Sequence, residues 1–184
     1  MAKKLKSWRD KSFYKIIAPK NFDSKEIGDT MADNPKKLMG RSVEVSLADL
    51  TGDLSKQHLT LIFEIVDVKG DRAYTKFKKF VVNPGYIRAK IRKGSSKIDY
   101  VGNIDLDKSK VQVRVVTITH QNIKTSRKHE IIRIITETLR KYKGMKLDDF
   151  IQLTLFGRVG TEIYKNVKKI AAIRRVEVEH VRIL

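Results

Sequence analysis

The 184-residue sequence contains no cysteine. Disulfides, thiolate metal sites and a cysteine nucleophile are thereby excluded, and the chain is compatible with a reducing compartment. It has no glycine-rich phosphate loop, neither a GK[ST] run nor a G-x-G-x-x-G. Its four histidines, His58, His120, His129 and His180, are scattered without ligand spacing. No serine stands in a nucleophile-elbow context. Asp148 and Asp149 are adjacent, but neighbouring helical residues point in different directions, so helix-start electrostatics explains them better than a carboxylate pair. Asp105 and Asp107 flank a turn, where aspartate bonds locally. The expectation is a protein that is not an enzyme, with no cofactor and no small-molecule substrate. Long apolar runs are also missing: none approaches the ~20 residues of a spanning helix. The N-terminus, MAKKLKSWRDK, has cations but no apolar run behind them, unlike a secretory signal. A soluble, cytoplasmic protein with no membrane contact is expected.

What the sequence has in excess is positive charge. Lys and Arg number 40 against 21 Asp and Glu, giving a net charge of +19 and a pI near 10.1. Such a chain repels itself unless a partner neutralises it. Nucleic acid, an anionic membrane surface and an acidic protein are the candidates, and nucleic acid is the commonest for a small basic domain. Residues 1–11 form a basic arm, with Lys3, Lys4, Lys6, Arg9 and Lys11 around one large aromatic, Trp8. It has no hydrophobic period. Either it orders against phosphates, Trp8 stacking on a base, or it is a solvated terminus. Residues 12–184 are read as a single α+β domain, since 41% hydrophobic content is enough for a core.

The domain is organised around Leu59–Phe80. Leu59, Leu61, Phe63 and Ile65 alternate along one strand, and Lys69-Gly70-Asp71 makes a turn. On the second strand Ala73, Thr75 and Phe77 share one face, and Tyr74, Lys76, Lys78 and Phe80 the other. A face mixing cations with rings suits a polyanion whose bases can be stacked upon; equally, it suits a solvated basic face with cross-strand aromatic packing.

Before the hairpin, the pattern predicts a strand over Phe13–Ile17, a long irregular loop with one helical turn over Asn21–Met39 and a strand over Ser42–Ala48. After it, Asn83-Pro84 caps a helix running to about Lys93. Strands follow over Lys97–Leu106 and Lys110–His120. The second is apolar on both faces, as in a central strand. Ser126 is positioned to cap a helix over Arg127–Lys143, with Ile131, Ile134, Ile135, Leu139 and Tyr142 as its apolar stripe. Helices over Leu147–Phe156 and Thr161–Ile170 carry Asp148, Asp149 and Glu162 in their first turns. A closing strand, Ile173–Leu184, shifts phase at His180–Val181, suggesting a bulge. The sum is a curled antiparallel sheet or small β-barrel core with a packed helical segment and a C-terminal return strand.

Gly157-Arg158-Val159-Gly160 has the local form of a G-x-x-G backbone clamp; two glycines bounding consecutive helices give the same pattern. The cations otherwise fall in separate clusters: Arg41; Arg72, Lys76, Lys78 and Lys79; Arg88, Lys90, Arg92 and Lys93; Lys124, Arg127, Lys128 and Arg133. A single reading helix would concentrate them on one face. Distributed cations suggest several contacts, mostly to phosphates and shape.

Trp8, FYKIIAPKNFDSKEIGDT (Phe13–Thr30), GRSVEVSLADLTGD (Gly40–Asp53) and FEIVDVKGDRAYTKF (Phe63–Phe77) resemble the small-ribosomal-subunit protein 3a family of archaea and eukaryotes, also called 3Ae or 1e. GRxxEVSLADL is the most specific piece. The order continues through Lys124-Thr125-Ser126, VGTEIYKNVKKI and the last strand. The resemblance implies a structural component of the small subunit, with a barrel-like β core and packed helices. It implies a place on the platform near the message exit, contact with small-subunit ribosomal RNA and neighbouring small-subunit proteins, and proximity to messenger RNA. The short arm and the end at Leu184 resemble archaeal members, so partners of the eukaryotic extensions are not implied. The rival expectation is a non-resident RNA-binding translation or RNA-chaperone factor.

Overall fold

Alternation of apolar and polar residues puts more of this chain into strands than into helices, and the computed structural model, which describes residues 11–184, contains eight strands with five α-helices. The chain divides into two compact units, one running through Lys79 and one from Phe80 to Leu184.

The first unit contains β1 (Ser12–Ile17), β2 (Glu26–Ala32), β3 (Ser42–Ser46), β4 (Leu59–Lys69) and most of β5 (Arg72–Val82). Its strand order is β2-β1-β5-β4-β3. Gly70, at φ 63°, makes the tight β4–β5 connection. Leu59, Leu61, Phe63 and Ile65 are all buried, as their period requires. Tyr14, Ala32, Leu38, Ile65 and Ala73 pack together, and Phe22 meets Phe63 edge-on at 5.4 Å. β1 pairs with β5 in parallel, against the expectation of a wholly antiparallel sheet.

Two expectations here are corrected. The stretch Asn21–Met39 is not an irregular loop. It contains β2, antiparallel to β1, between single 3-10 turns at Lys20–Phe22 and Pro35–Lys37. β2 buries little besides Ala32, so it shows no alternation. The strand expected over Ser42–Ala48 stops at Ser46, whose hydroxyl accepts from the Ala48 N–H and caps the short helix α1 (Leu47–Thr51).

The second unit contains β6 (Lys97–Asp105), β7 (Lys110–Thr119) and β8 (Ile173–Ile183), with β7 antiparallel to both neighbours. Val111, Val113, Val115, Val116 and Ile118 of β7 are buried on both faces, as expected of a central strand. Around it stand α2 (Pro84–Lys90), α3 (Thr125–Arg140), α4 (Leu147–Leu155) and α5 (Arg158–Val167). α3 packs on β6 and α5, and α5 packs on β8. Ile131, Ile135, Leu139, Phe150, Val159, Ile163 and Val167 fill the space beneath.

The phase shift expected late in β8 exists. Arg114 pairs with His180 and Val115 with Val178, so Glu179 is the extra residue of a bulge. A second bulge falls at Arg174, between the pairs of Ile118 and Thr119. The bulge turns Glu179 towards Arg114, their Oε2 and Nε 3.1 Å apart without hydrogen-bond alignment.

α2 ends at Lys90, short of the expected Lys93, because Ile91 turns extended. Lys124, not Ser126, occupies the N-cap of α3, with no side-chain hydrogen bond. α5 starts at Arg158, so Glu162 lies beyond its first turn, whereas Asp148 and Asp149 do open α4. Among the described residues β2, β3 and β6 each pair with one neighbour, so in neither unit do the strands close into the barrel offered as the alternative to a curled sheet.

Candidate nucleic-acid interface

A cation held by a carboxylate must leave it before it meets a phosphate, so pairing ranks the candidates. Lys3, Lys4, Lys6, Trp8 and Arg9 lie outside the described residues; Lys11 is described and exposed. Arg41 is exposed but engaged: Nη1 donates to Thr30 Oγ1 at 3.0 Å and the Met31 carbonyl at 3.1 Å, and Nε to the Lys37 carbonyl at 3.1 Å. It ties down the turn between β2 and β3. Lys78 donates to Ser42 Oγ at 3.1 Å and pairs with Glu64 at 3.4 Å. Arg133 sits 3.8 Å from Glu137, one turn away. Lys90 lies over the Tyr86 ring, 4.9 Å from its centroid.

The other candidates stand apart. Among the described residues, Arg72, Lys76, Lys79, Arg88, Arg92, Lys93, Lys124, Arg127 and Lys128 have no ion pair and no side-chain hydrogen bond. They form three groups. Arg72, Lys76 and Lys79 lie along β5. Arg88 leaves the exposed side of α2, and Arg92 and Lys93 lie just past its end. Lys124, Arg127 and Lys128 surround the N-terminus of α3. There Lys124 and Arg127 line a concavity of about 390 Å³ with Gln121, Asn122, Ile123, Ala171 and Ala172.

On β5 the mixed face predicted from alternation is present in part. Ala73, Thr75 and Phe77 are buried, while Tyr74 and Lys76 are exposed. Phe80 departs from the expectation: it is buried, because the inward phase slips by one residue across Lys78-Lys79. Beside Arg72 and Tyr74, β1 presents Phe13, Lys15 and Ile17 on the side opposite its buried Tyr14 and Ile16. Phe13 escapes any search for basic clusters; the alternation over residues 13–17 was the signal that could have found it.

The G-x-x-G does not form an exposed clamp. Gly157, at φ 72°, links α4 to α5, while Gly160 is buried in the first turn of α5. Gly160 faces β8, where a Cβ would stand 3.4 Å from the Val176 carbonyl oxygen.

Perturbed titration is confined to structural contacts. Burial pushes the Tyr142 hydroxyl well above its ordinary range, reinforced by its hydrogen bond to Glu162. That same bond, with Lys141 at 3.2 Å, holds the Glu162 carboxyl below the usual range. Tyr86 is pushed up by burial and then by Glu177, although Arg175 donates to its hydroxyl at 2.9 Å. Arg175 itself is pushed up first by its hydrogen bond to Glu177. Tyr142 with Glu162 and Tyr86 with Arg175 each tie one element to another, while Arg175 with Glu177 stays within β8.

Residues 1–184 match the family model described as Ribosomal S3Ae family. The chain is 39% identical over 180 residues to small ribosomal subunit protein eS1 of Methanobrevibacter smithii, covering 97% of this chain and 93% of that one. It is 40% identical over 181 residues to the protein of that name from Archaeoglobus fulgidus, covering 96% and 86%. The eS1 protein of Staphylothermus marinus is 37% identical over 179 residues, covering 96% and 84%.

Proposed function

This chain belongs to the ribosomal S3Ae family, as an archaeal-type member, and from that membership we propose that it is a structural constituent of the small ribosomal subunit, held to ribosomal RNA through its unpaired cations. The observation that carries the RNA contact is the sorting by pairing. Nine of the candidate cations remain unpaired among the described residues, on one strand, two helices and the segments at their ends. Contacts so dispersed fix orientation on a folded RNA and carry little sequence information. The order of preference for phosphate contact is therefore Arg72, Lys76 and Lys79, then the Arg88–Lys93 and Lys124–Lys128 groups. Arg41, Lys78 and Arg133 follow, since each must first leave a partner. Residues 1–11 serve as an arm and residues 12–184 as the RNA-binding body. The location is the platform near the message exit, beside neighbouring small-subunit proteins and within reach of messenger RNA. The role supports translation in the cytoplasm and involves no catalysis.

A sucrose gradient of a gentle lysate, repeated after a high-salt wash, tests residence. One copy per small subunit retained through the wash is expected. A sub-stoichiometric peak that salt removes would instead make this an RNA-binding translation or RNA-chaperone factor that visits the subunit.

A further inference from the structure

Phosphate contacts leave the two most exposed rings of the first unit's sheet unexplained. Phe13 of β1 is 68% exposed and Tyr74 of β5 is 37% exposed. The two strands are adjacent and parallel, with Lys15 opposite Arg72 and Ile17 opposite Tyr74. Phe13, Lys15 and Ile17 alternate with buried Tyr14 and Ile16; Arg72, Tyr74 and Lys76 alternate with buried Ala73, Thr75 and Phe77. Both rings therefore lie on one solvent face. Strand rise and spacing separate them by about 14 Å.

The unpaired charge beside these rings is cationic. Arg72 and Lys76 flank Tyr74 along β5 and are unpaired among the described residues. Lys69 places its Nζ 5.9 Å from the Tyr74 centroid while touching Asp67 at 3.5 Å. Lys15, between Phe13 and Ile17, is shared with Glu26 at 3.2 Å. An exposed phenylalanine has no contact to make with a phosphate, and a protein seat would not need unpaired cations on either side of Tyr74. Unpaired bases need both, since every base has a π-face to stack and a phosphate to neutralise. Sheet-borne aromatics of this kind stack bases of single strands, which a duplex cannot offer.

We propose that the β1–β5 face is a stacking platform for unpaired RNA, Phe13 and Tyr74 each taking a base while Arg72 and Lys76 hold the adjoining phosphates. It rests on the RNA-binding reading above and adds to it a class of RNA and two residues outside the basic clusters.

The test uses the full chain, a fluorescein-labelled oligouridylate and a labelled RNA duplex of equal length, with anisotropy read at fixed salt. Phe13→Leu/Tyr74→Leu keeps the apolar bulk and removes both π-faces. Phe13→Tyr/Tyr74→Phe keeps the π-faces. For the leucine pair, single-strand affinity should fall about 30-fold or more, as two lost stacks require, with duplex affinity within about twofold of wild type. The aromatic pair should bind as wild type. Both side chains are exposed, so circular dichroism and the urea midpoint should be unchanged in either variant. Undiminished single-strand binding by the leucine pair overturns the platform and leaves the phosphate reading standing. So does an equal loss for both probes. If the leucine pair binds RNA normally but releases a neighbouring small-subunit protein, the face is a protein seat and the platform is wrong. Wild-type protein that binds neither probe at low salt overturns both readings.

Discussion

Replacing Arg88, Arg92 and Lys93 together by glutamine removes three cations that have no carboxylate to neutralise among the described residues. If each meets a phosphate, the slope of log K against log salt becomes shallower by about 0.7–0.9 per contact, or about 2.1–2.7 for the three. Over a fourfold change in salt, the range of affinity then contracts by about 20- to 40-fold. The control removes equal charge from paired positions: Lys37, 2.7 Å from Asp33; Lys56, 3.5 Å from Asp53; and Lys97, 3.0 Å from Asp99. These cations already share a counter-charge, so their loss should change the slope by less than about 1. Filter binding of a small-subunit ribosomal RNA transcript from about 50 to 200 mM salt gives both slopes. Urea melts show whether folding is intact, which is expected because exposed substitutions usually stay within about 0.5 kcal/mol. Equal flattening by both triples would show that only net charge matters, and an unchanged slope in the first would remove the α2 cluster from the interface.

Three further substitutions probe the fold that carries the cations. Tyr142→Phe removes the hydroxyl that holds Glu162 below the usual carboxylate range and should cost about 1 kcal/mol at pH 7. Because the folded Glu162 value is depressed, that contribution is present above the unfolded value of 4.5 and is lost as pH falls through the folded one. The gap between wild type and variant in urea should therefore close in acid, and a constant gap down to pH 3 would contradict the assignment. The raised Tyr142 value works at the other end: wild type should lose stability above pH 10.0 as the unfolded phenol ionises, and the variant should lack this component. Gly70→Ala has open space for its Cβ but a φ of 63°, so it should cost about 1–2 kcal/mol through backbone strain alone; a neutral result in thermal melts would mean that the turn relaxes. Asn83→Ala removes the cap that accepts from the Gly85 N–H at 2.8 Å, and a loss of about 1 kcal/mol is expected by chemical denaturation. No change there would mean that Pro84 alone sets the start of α2.

Much of the fold was legible wherever one face of an element is buried. β4, β7 and α3 follow their apolar periods, and the Gly70 turn and the Asn83-Pro84 start are chemical signals that act locally. β2 was not legible, because EIGDTMA lies at a sheet edge and buries little except Ala32. The inward turn of Phe80 was hidden by a one-residue slip that changes no residue type. Within the candidate site, the clusters themselves could be read from charge. Which cations are unpaired could not, because Lys78 meets Glu64 across strands and Arg41 meets Thr30 eleven residues away.

The sequence by itself determined the charge, the family and the local elements, since these depend on composition, on a specific run such as GRSVEVSLADL and on contacts between near neighbours. Tertiary structure alone decided that β1 runs parallel to β5, which brings Phe13 to the same solvent face as Tyr74 although sixty-one residues separate them. It also decided that Gly160 is buried against β8 and not exposed as a clamp, because the Val176 carbonyl arrives over it from a distant strand. The physical reason is the same in each case. A period or a cap is satisfied within one turn or one hairpin, whereas pairing partners and free surface are fixed only when distant segments compete for the same hydrogen bonds and the same buried volume.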